Sequence, residues 1–493
     1  MKRLLGAPPK PVLLGWVLTV LFAAPLASAD QVDDFVNAYI AKKNIPGVAV
    51  TVRANGMLVR SKGYGLANLE HRVPVIEKTV FQSGSVGKQF TAMLVLTLVE
   101  EKKLALDDPL SKYLPTPPEW SAITIRHLLT HTSGLGDYPE DFQLQRDYTE
   151  DDLWKVITAQ KLAFAPGSRW SYSNLGYVTL GILVHKVTGR FYGDLLQERI
   201  FANLGMKTAR IISEADIIPN RAAGYELKPD PADKSRFLLK NQSWVAPSLN
   251  TTADGSLYLT VMDLANWDFG LDERRFISPA LYQEMWTPVR LTGGEQPTAA
   301  YGFGWSLRTL PSGEKVTEHG GSWQGFKAYI GRYHGTEGGA APAGTPPPTA
   351  TSLGQKLPQN RLTVIVLANR AGADVDYIAG VVAGLYRPEL APPKHAAIKL
   401  PAAELAKFAG AYRLDDRLTV TVEVAPSGDR LRLAFGGAPY ELLPEKSDAS
   451  GADFFVEDST RTARFERDAS GNVTGLTISV PEKLQFKRVS EKQ

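Results

Sequence analysis

Residues 81–90 read FQSGSVGKQF, and this stretch decides how the rest of the chain is understood. A small serine, Ser85, stands three positions ahead of a lone cation, Lys88, and the apolar run VGKQFTAMLVLTLVEEKKL continues to residue 104. Apolar residues on most sides of that run predict a helix buried in a core, with its solvent end at Glu100 to Lys103. Ser85 then falls at the helix N-terminus, one turn from Lys88 on the same face, with its backbone N–H at the positive end of the helix. A lysine buried there loses proton affinity through desolvation and can act as base toward the hydroxyl. The same residues also fit a plain helix cap with a lysine reaching for the surface.

Spelling does not separate these readings, because Ser-x-x-Lys occurs a second time, at Ser312 and Lys315 in LPSGEKV. That copy lies in a polar turn between two strands, where a lysine is simply solvated.

Working outward, VDDFVNAYIAKKN has helical apolar spacing, and Asn55-Gly56 splits two β-rich runs as a hairpin. Residues from about 104 to 290 alternate helical patterns with Pro- and Gly-containing loops and read as a mostly helical subdomain. Strands return in YGFGWSLRTL, KVTEHGGSWQGFKAYIGRYH and RLTVIVLANR; the Gly/Pro/Ala-rich tract between the last two reads as a mobile hairpin loop. Residues 30–386 therefore form an α/β unit, with an antiparallel sheet flanked by helices. A proline-punctuated linker follows at 387–402, and the short alternating runs of 403–493 predict a small β-barrel or sandwich.

The first 29 residues carry Lys2, Arg3 and Lys10 ahead of an apolar run that ends in Ala27-Ser28-Ala29, the pattern of a cleavable secretory signal. Export to the periplasm or medium is expected, with no stable membrane insertion after cleavage; an uncleaved anchor would instead make the chain a tethered scaffold. Removing the signal leaves 52 basic and 52 acidic residues, so net charge gives no support to a nucleic-acid partner. Cysteine is absent, which excludes disulfides, thiol catalysis, cysteine metal sites and a lipid anchor on cysteine. His127 and His131 have the spacing of a helical metal pair but lack a metalloprotease signature, and no phosphate loop, dinucleotide fingerprint or Gly-x-Ser-x-Gly elbow occurs. No metal or cofactor is expected.

Two further segments complete a set. FAPGSRWSYSNLGYVTLG holds Tyr172-Ser173-Asn174, and EHGGSWQGF holds His319-Gly320-Gly321. In the order Ser85-x-x-Lys88, Tyr172-x-Asn174, His319-x-Gly321, with ITIRHLLTHTSGL, YGFGW and IVLANR around them, residues 33–386 resemble the penicillin-binding and class C β-lactamase-like serine hydrolases. The resemblance implies acyl transfer through a covalent ester. Ser85 would be the nucleophile, Lys88 and Tyr172 the basic pair, and Asn174 a ligand of Lys88 and of the substrate amide. The backbone amides of Ser85 and Ser322 would hold the oxyanion. Gly320 and Gly321 would let substrate lie along the strand edge. Trp323 and Phe326 fit an apolar wall to the site and strand packing beneath it equally well.

The chain departs from dedicated β-lactamases of the family at His319, where those carry a lysine beside the drug's carboxylate. A histidine there, charged or neutral according to its surroundings, favours short D-amino-acid peptides or esters as substrates over β-lactams. The alternatives are a true class C-like β-lactamase and a catalytically silent cell-wall peptide-binding protein. The C-terminal domain resembles lipocalin-like barrels attached to some of these hydrolases.

Overall fold

A computed structural model describes residues 26–233, 236–246, 251–297, 299–310, 312–335, 360–414, 418–434, 439–480 and 482–489. Most of the signal-like segment and nearly all of the Gly/Pro/Ala-rich tract lie outside these residues. No helix among the described residues is long and apolar enough to cross a membrane.

The catalytic unit is built on a seven-stranded antiparallel sheet. Its strands are β1 (Gly47–Ala54), β2 (Met57–Asn68), β3 (Val73–Pro74), β4 (Ser306–Thr309), β5 (Lys315–Trp323), β6 (Phe326–Tyr333) and β7 (Leu362–Ala368), in the order β3-β2-β1-β7-β6-β5-β4. The first and last parts of the domain meet where β1 pairs with β7, Val48 opposite Ala368. Strand alternation divides the side chains between two cores. Val48, Val50, Val52, Val364 and Val366 pack on one face under α1 (Leu26–Lys42) and α5 (Val375–Tyr386). Ala49, Ala328, Ile330, Ile365 and Leu367 face the larger core, built with α2 (Lys88–Glu100), α3 (Asn174–Thr188) and α4 (Val261–Asp272).

Arg53, Arg332 and Arg361 also lie on this second face, all buried, and meet Asp268 and Asp272 of α4. Five ions thus tie β1, β6 and the residue leading into β7 to one helix.

This sheet flanked by helices has the architecture that the resemblance implies, and a closed barrel of eight antiparallel strands follows it between Gly410 and Arg488. In its strand Thr419–Val424 the buried positions alternate, so Val420 and Val422 point inward to join Leu433, Phe454 and Phe465. Closure leaves no unpaired sheet edge, which explains why the alternating runs give a barrel and not a sandwich.

Candidate active site

From Phe81 to Phe90 every residue is buried except Ser85, which is partly exposed. The chain achieves this by a tight turn: a 3₁₀ segment, Gly84–Gly87, precedes α2, so Ser85 sits inside that turn and Gly87, not Ser85, occupies the N-cap. The expected capping role therefore falls away. Gly84 has φ +49°, and a Cβ there would lie 2.5 Å from the Ser322 amide nitrogen of β5. Only glycine allows both the left-handed turn and this approach. Ser83 shares its hydroxyl proton between the carbonyls of Gly84 and Gly255, each 3.0 Å away, locking the turn from below.

Lys88 is wholly buried. Its Nζ donates to Ser85 Oγ at 3.2 Å, to Asn174 Oδ1 at 2.7 Å and to the Asp254 carbonyl at 2.8 Å. It also lies over the rings of Tyr172 and Tyr177, 4.9 and 5.4 Å from their centroids. Desolvation lowers the Lys88 ammonium to about 8, against the attraction of the Asp254 and Asp137 carboxylates. A neutral amine has two N–H bonds and one lone pair. With Asn174 and Asp254 taking the two protons, the lone pair is left facing Ser85, the geometry of a base on a nucleophile.

Asn174 is fixed in turn by Asp137, whose two carboxylate oxygens each accept from its side-chain amide at 3.0 Å. The Tyr172-Ser173-Asn174 loop is held by His131, whose Nδ1 accepts from the Ser173 amide at 3.1 Å while its ring stacks 4.2 Å from Tyr172. His127 uses its own Nδ1 to accept from the Thr124 amide at 3.2 Å. The two histidines thus serve separate local contacts.

His319 faces the same site from β5, with its ring 6.3 Å from Tyr172. Tyr301 Oη donates to its Nε2 at 2.8 Å, and Nδ1–H donates to the Gly320 carbonyl at 2.6 Å. That pairing suits the neutral imidazole. Burial pushes the ring down to about 4, and the Lys88 charge adds to the shift. His319 is therefore uncharged at neutral pH.

Beyond Glu318 the β5 edge has no strand partner on its β4 side among the described residues, so His319 to Trp323 present an open edge beside the Ser85 turn. The two glycines on it differ. Gly320 is exposed, and a Cβ there would find nothing nearer than 4.0 Å. Gly321 is buried, and a Cβ would lie 2.0 Å from the Ser83 carbonyl. The expectation that both clear space for substrate holds for Gly320 alone; Gly321 lets the nucleophile turn seat against the strand. Ser322 is exposed on the opposite face from His319. Phe326 is buried edge-on against Phe81 at 6.3 Å, so it supports the site from the core and does not wall it; Trp323 packs partly buried beside it.

Gly321→Ala is expected to push the turn off the strand and cost about 10² in acylation rate, as a displacement near 1 Å can do. Gly320→Ala should leave the melting temperature unchanged. Native kinetics in the Gly321 variant, measured by stopped-flow acylation, would remove this packing role.

A beta-lactamase family model matches residues 32–387. The chain belongs to the beta-lactamase family. It is a β-lactamase-like serine hydrolase, and a second match, to a domain of unknown function (DUF3471), covers residues 394–492. Among proteins similar to this member of the family is penicillin-binding protein 4* of Bacillus subtilis (strain 168), 28% identical over 416 residues, covering 80% of this chain and 85% of that protein. The D-aminopeptidase of Gluconobacter oxydans (strain 621H) is 28% identical over 421 residues, 83% of this chain and 70% of that enzyme. The octameric penicillin-binding protein homologue from Pyrococcus abyssi superposes with a TM-score of 0.61 at 25% identity, over 93% of this chain and all of that one.

Reading the sequence alone missed Asp137, Asp254 and Tyr301, and treated His131 only as half of a metal pair. His131 and Tyr301 lie inside the phrases ITIRHLLTHTSGL and YGFGW, and Asp137 and Asp254 in no quoted motif; each gains its role from a partner at least 18 positions away.

Proposed function

We propose that the protein is an exported serine hydrolase that cleaves short D-amino-acid peptides, amides or esters through an acyl-enzyme on Ser85. The observation that carries this is Lys88, wholly buried, with two fixed carbonyl acceptors and its third direction on Ser85 Oγ at 3.2 Å.

Neutral Lys88 takes the Ser85 proton as Oγ bonds to the substrate carbonyl carbon. The carbonyl electron pair moves onto oxygen, where the Ser85 and Ser322 amides receive it. The pair returns as the bond to the leaving amine or alcohol breaks, and Lys88, with Tyr172 beside it, returns the proton to that group. Water then cleaves the ester by the same steps, freeing Ser85. The open β5 edge can pair with a peptide backbone as an added strand, and Asn174 can offer its amide to the substrate.

D-configured peptides are supported by the similarity to the D-aminopeptidase. Neutral His319 favours such substrates over β-lactams, because it offers no cation to a drug's carboxylate. Export is supported by the charged-then-apolar N-terminal pattern.

Intact-mass analysis after exposure to a serine-directed phosphonate and to a penicillin tests the reading. A single adduct is expected on the native chain, formed with the phosphonate faster than with the penicillin, and none on Ser85→Ala. No adduct on the native chain with either reagent would favour a silent binding protein, and an equal adduct on the alanine variant would refute the nucleophile.

A further inference from the structure

The barrel is fastened to the catalytic domain along a seam of ions. Lys42 pairs with Asp458 at 2.7 Å and with Glu457 at 3.2 Å, and Tyr39 Oη donates to the Asp458 carbonyl at 3.0 Å. Asp374 and Asp376 at the start of α5 receive Arg461 and Thr460 of the barrel. Arg461 also lies 5.1 Å from the Tyr440 ring centroid.

Two cations in this seam have no carboxylate of their own. Lys327 of β6 stands between Ser322 of β5 and Ala368 of β7, two positions before Arg370, on the face that Tyr329 and Ala368 turn toward α1 and α5, and it makes no side-chain hydrogen bond or ion pair among the described residues. Arg370, just past β7, is 8% exposed. Its guanidinium donates to the carbonyls of Ala371 at 3.0 Å and Gly372 at 3.5 Å, and its buried Nε meets no acceptor among the described residues. Of the nearby carboxylates, Asp374 is paired with Arg461 and Asp458 with Lys42, with Lys43 at 4.0 Å, while Asp376 accepts from the neutral Thr460 hydroxyl and reaches Lys327 only as a longer-range attraction. Burial, then the charge of Arg461, pushes Lys327 down to about 8 despite the attraction of Asp376, with Arg370 repelling it as well. Holding buried Arg370 and half-buried Lys327 side by side, neither in an ion pair, is costly, and a bound anion offsets the cost. Lys327 is only partly buried, so solvent ions can reach it.

We propose that this seam is a binding site for a small anion, a carboxylate or a phosphate, held between Lys327 and Arg370 and joining the barrel to the catalytic domain. The anion accepts from the Lys327 ammonium and the Arg370 Nε, the donors that the protein leaves unused. Its site is separate from Ser85 and does not depend on the acyl-enzyme reading.

The test is thermal unfolding of the full chain titrated with inorganic phosphate and, in parallel, with acetate, at ionic strength held constant with chloride. Saturable stabilisation of the native protein by about 3 °C or more is expected with one of the two, which then assigns the anion class. Ser85→Ala should respond like the native chain. Lys327→Met should lose the response and, without added anion, melt no lower than the native chain, since an unpaired cation has gone; Arg370→Gln should lose the response too. No saturable response in the native chain, a full response in both seam variants, or loss of the response in Ser85→Ala would overturn the site.

Discussion

Lys88→Arg is expected to lower kcat/KM by at least about 10³-fold while the protein stays folded, although the substitution keeps a cation in place. Arginine does not deprotonate near neutral pH, and its planar fork cannot replace an ammonium that spans Ser85, Asn174 and the Asp254 carbonyl. The native enzyme supplies the matching pH profile. Because desolvation lowers Lys88 to about 8, the free-base form grows as pH rises, so kcat/KM should climb through about 8 and level off above it. His319, held near 4, should add no limb between pH 6 and 7. Steady-state kinetics on a D-alanyl p-nitroanilide across pH 5 to 10 give both readings. An arginine variant keeping more than about a tenth of the native rate would move the base to Tyr172.

The second large effect is on stability. Asp268→Ala is expected to destabilise the catalytic domain by about 3–5 kcal/mol, because it removes the carboxylate shared by three buried guanidiniums and leaves them with Asp272. Burial by itself raises the Asp268 carboxyl, but Arg53, Arg361 and Arg332 outweigh it and hold the group well below the usual carboxylate range. A depressed carboxyl contributes stability above its unfolded value and loses it as pH falls toward the folded one. The native advantage over Asp268→Ala should therefore be full at pH 7 and shrink in acid. All nine tryptophans precede residue 387, so tryptophan fluorescence in urea follows the catalytic domain without interference from the barrel. A loss below about 1 kcal/mol would show that the network relaxes around Asp272.

Much of the architecture was legible because it rests on local pattern. Asn55-Gly56 turns β1 into β2, alternation at Thr419–Val424 builds a barrel wall, and the apolar run after Ser85 makes a buried helix. The helix start was misread by one turn, since the packing of Gly84 on β5, and not a side-chain cap, sets where the helix can begin. Phe326 stayed open between wall and packing because it shares the sheet face of His319, and only its contact with Phe81 places it in the core beneath the site.

By itself the sequence determined the family, the order of the site residues, and the absence of thiol chemistry, since these depend on residue identity and short-range spacing. Only the tertiary structure decided which charges the site holds. Lys88 becomes a base through burial beneath Asn174 and the Asp254 carbonyl, 86 and 166 positions away. His319 becomes neutral through burial beside Tyr301, 18 positions back. Proton affinity follows desolvation and partners in space, and in this chain those partners come from segments that no local spacing connects.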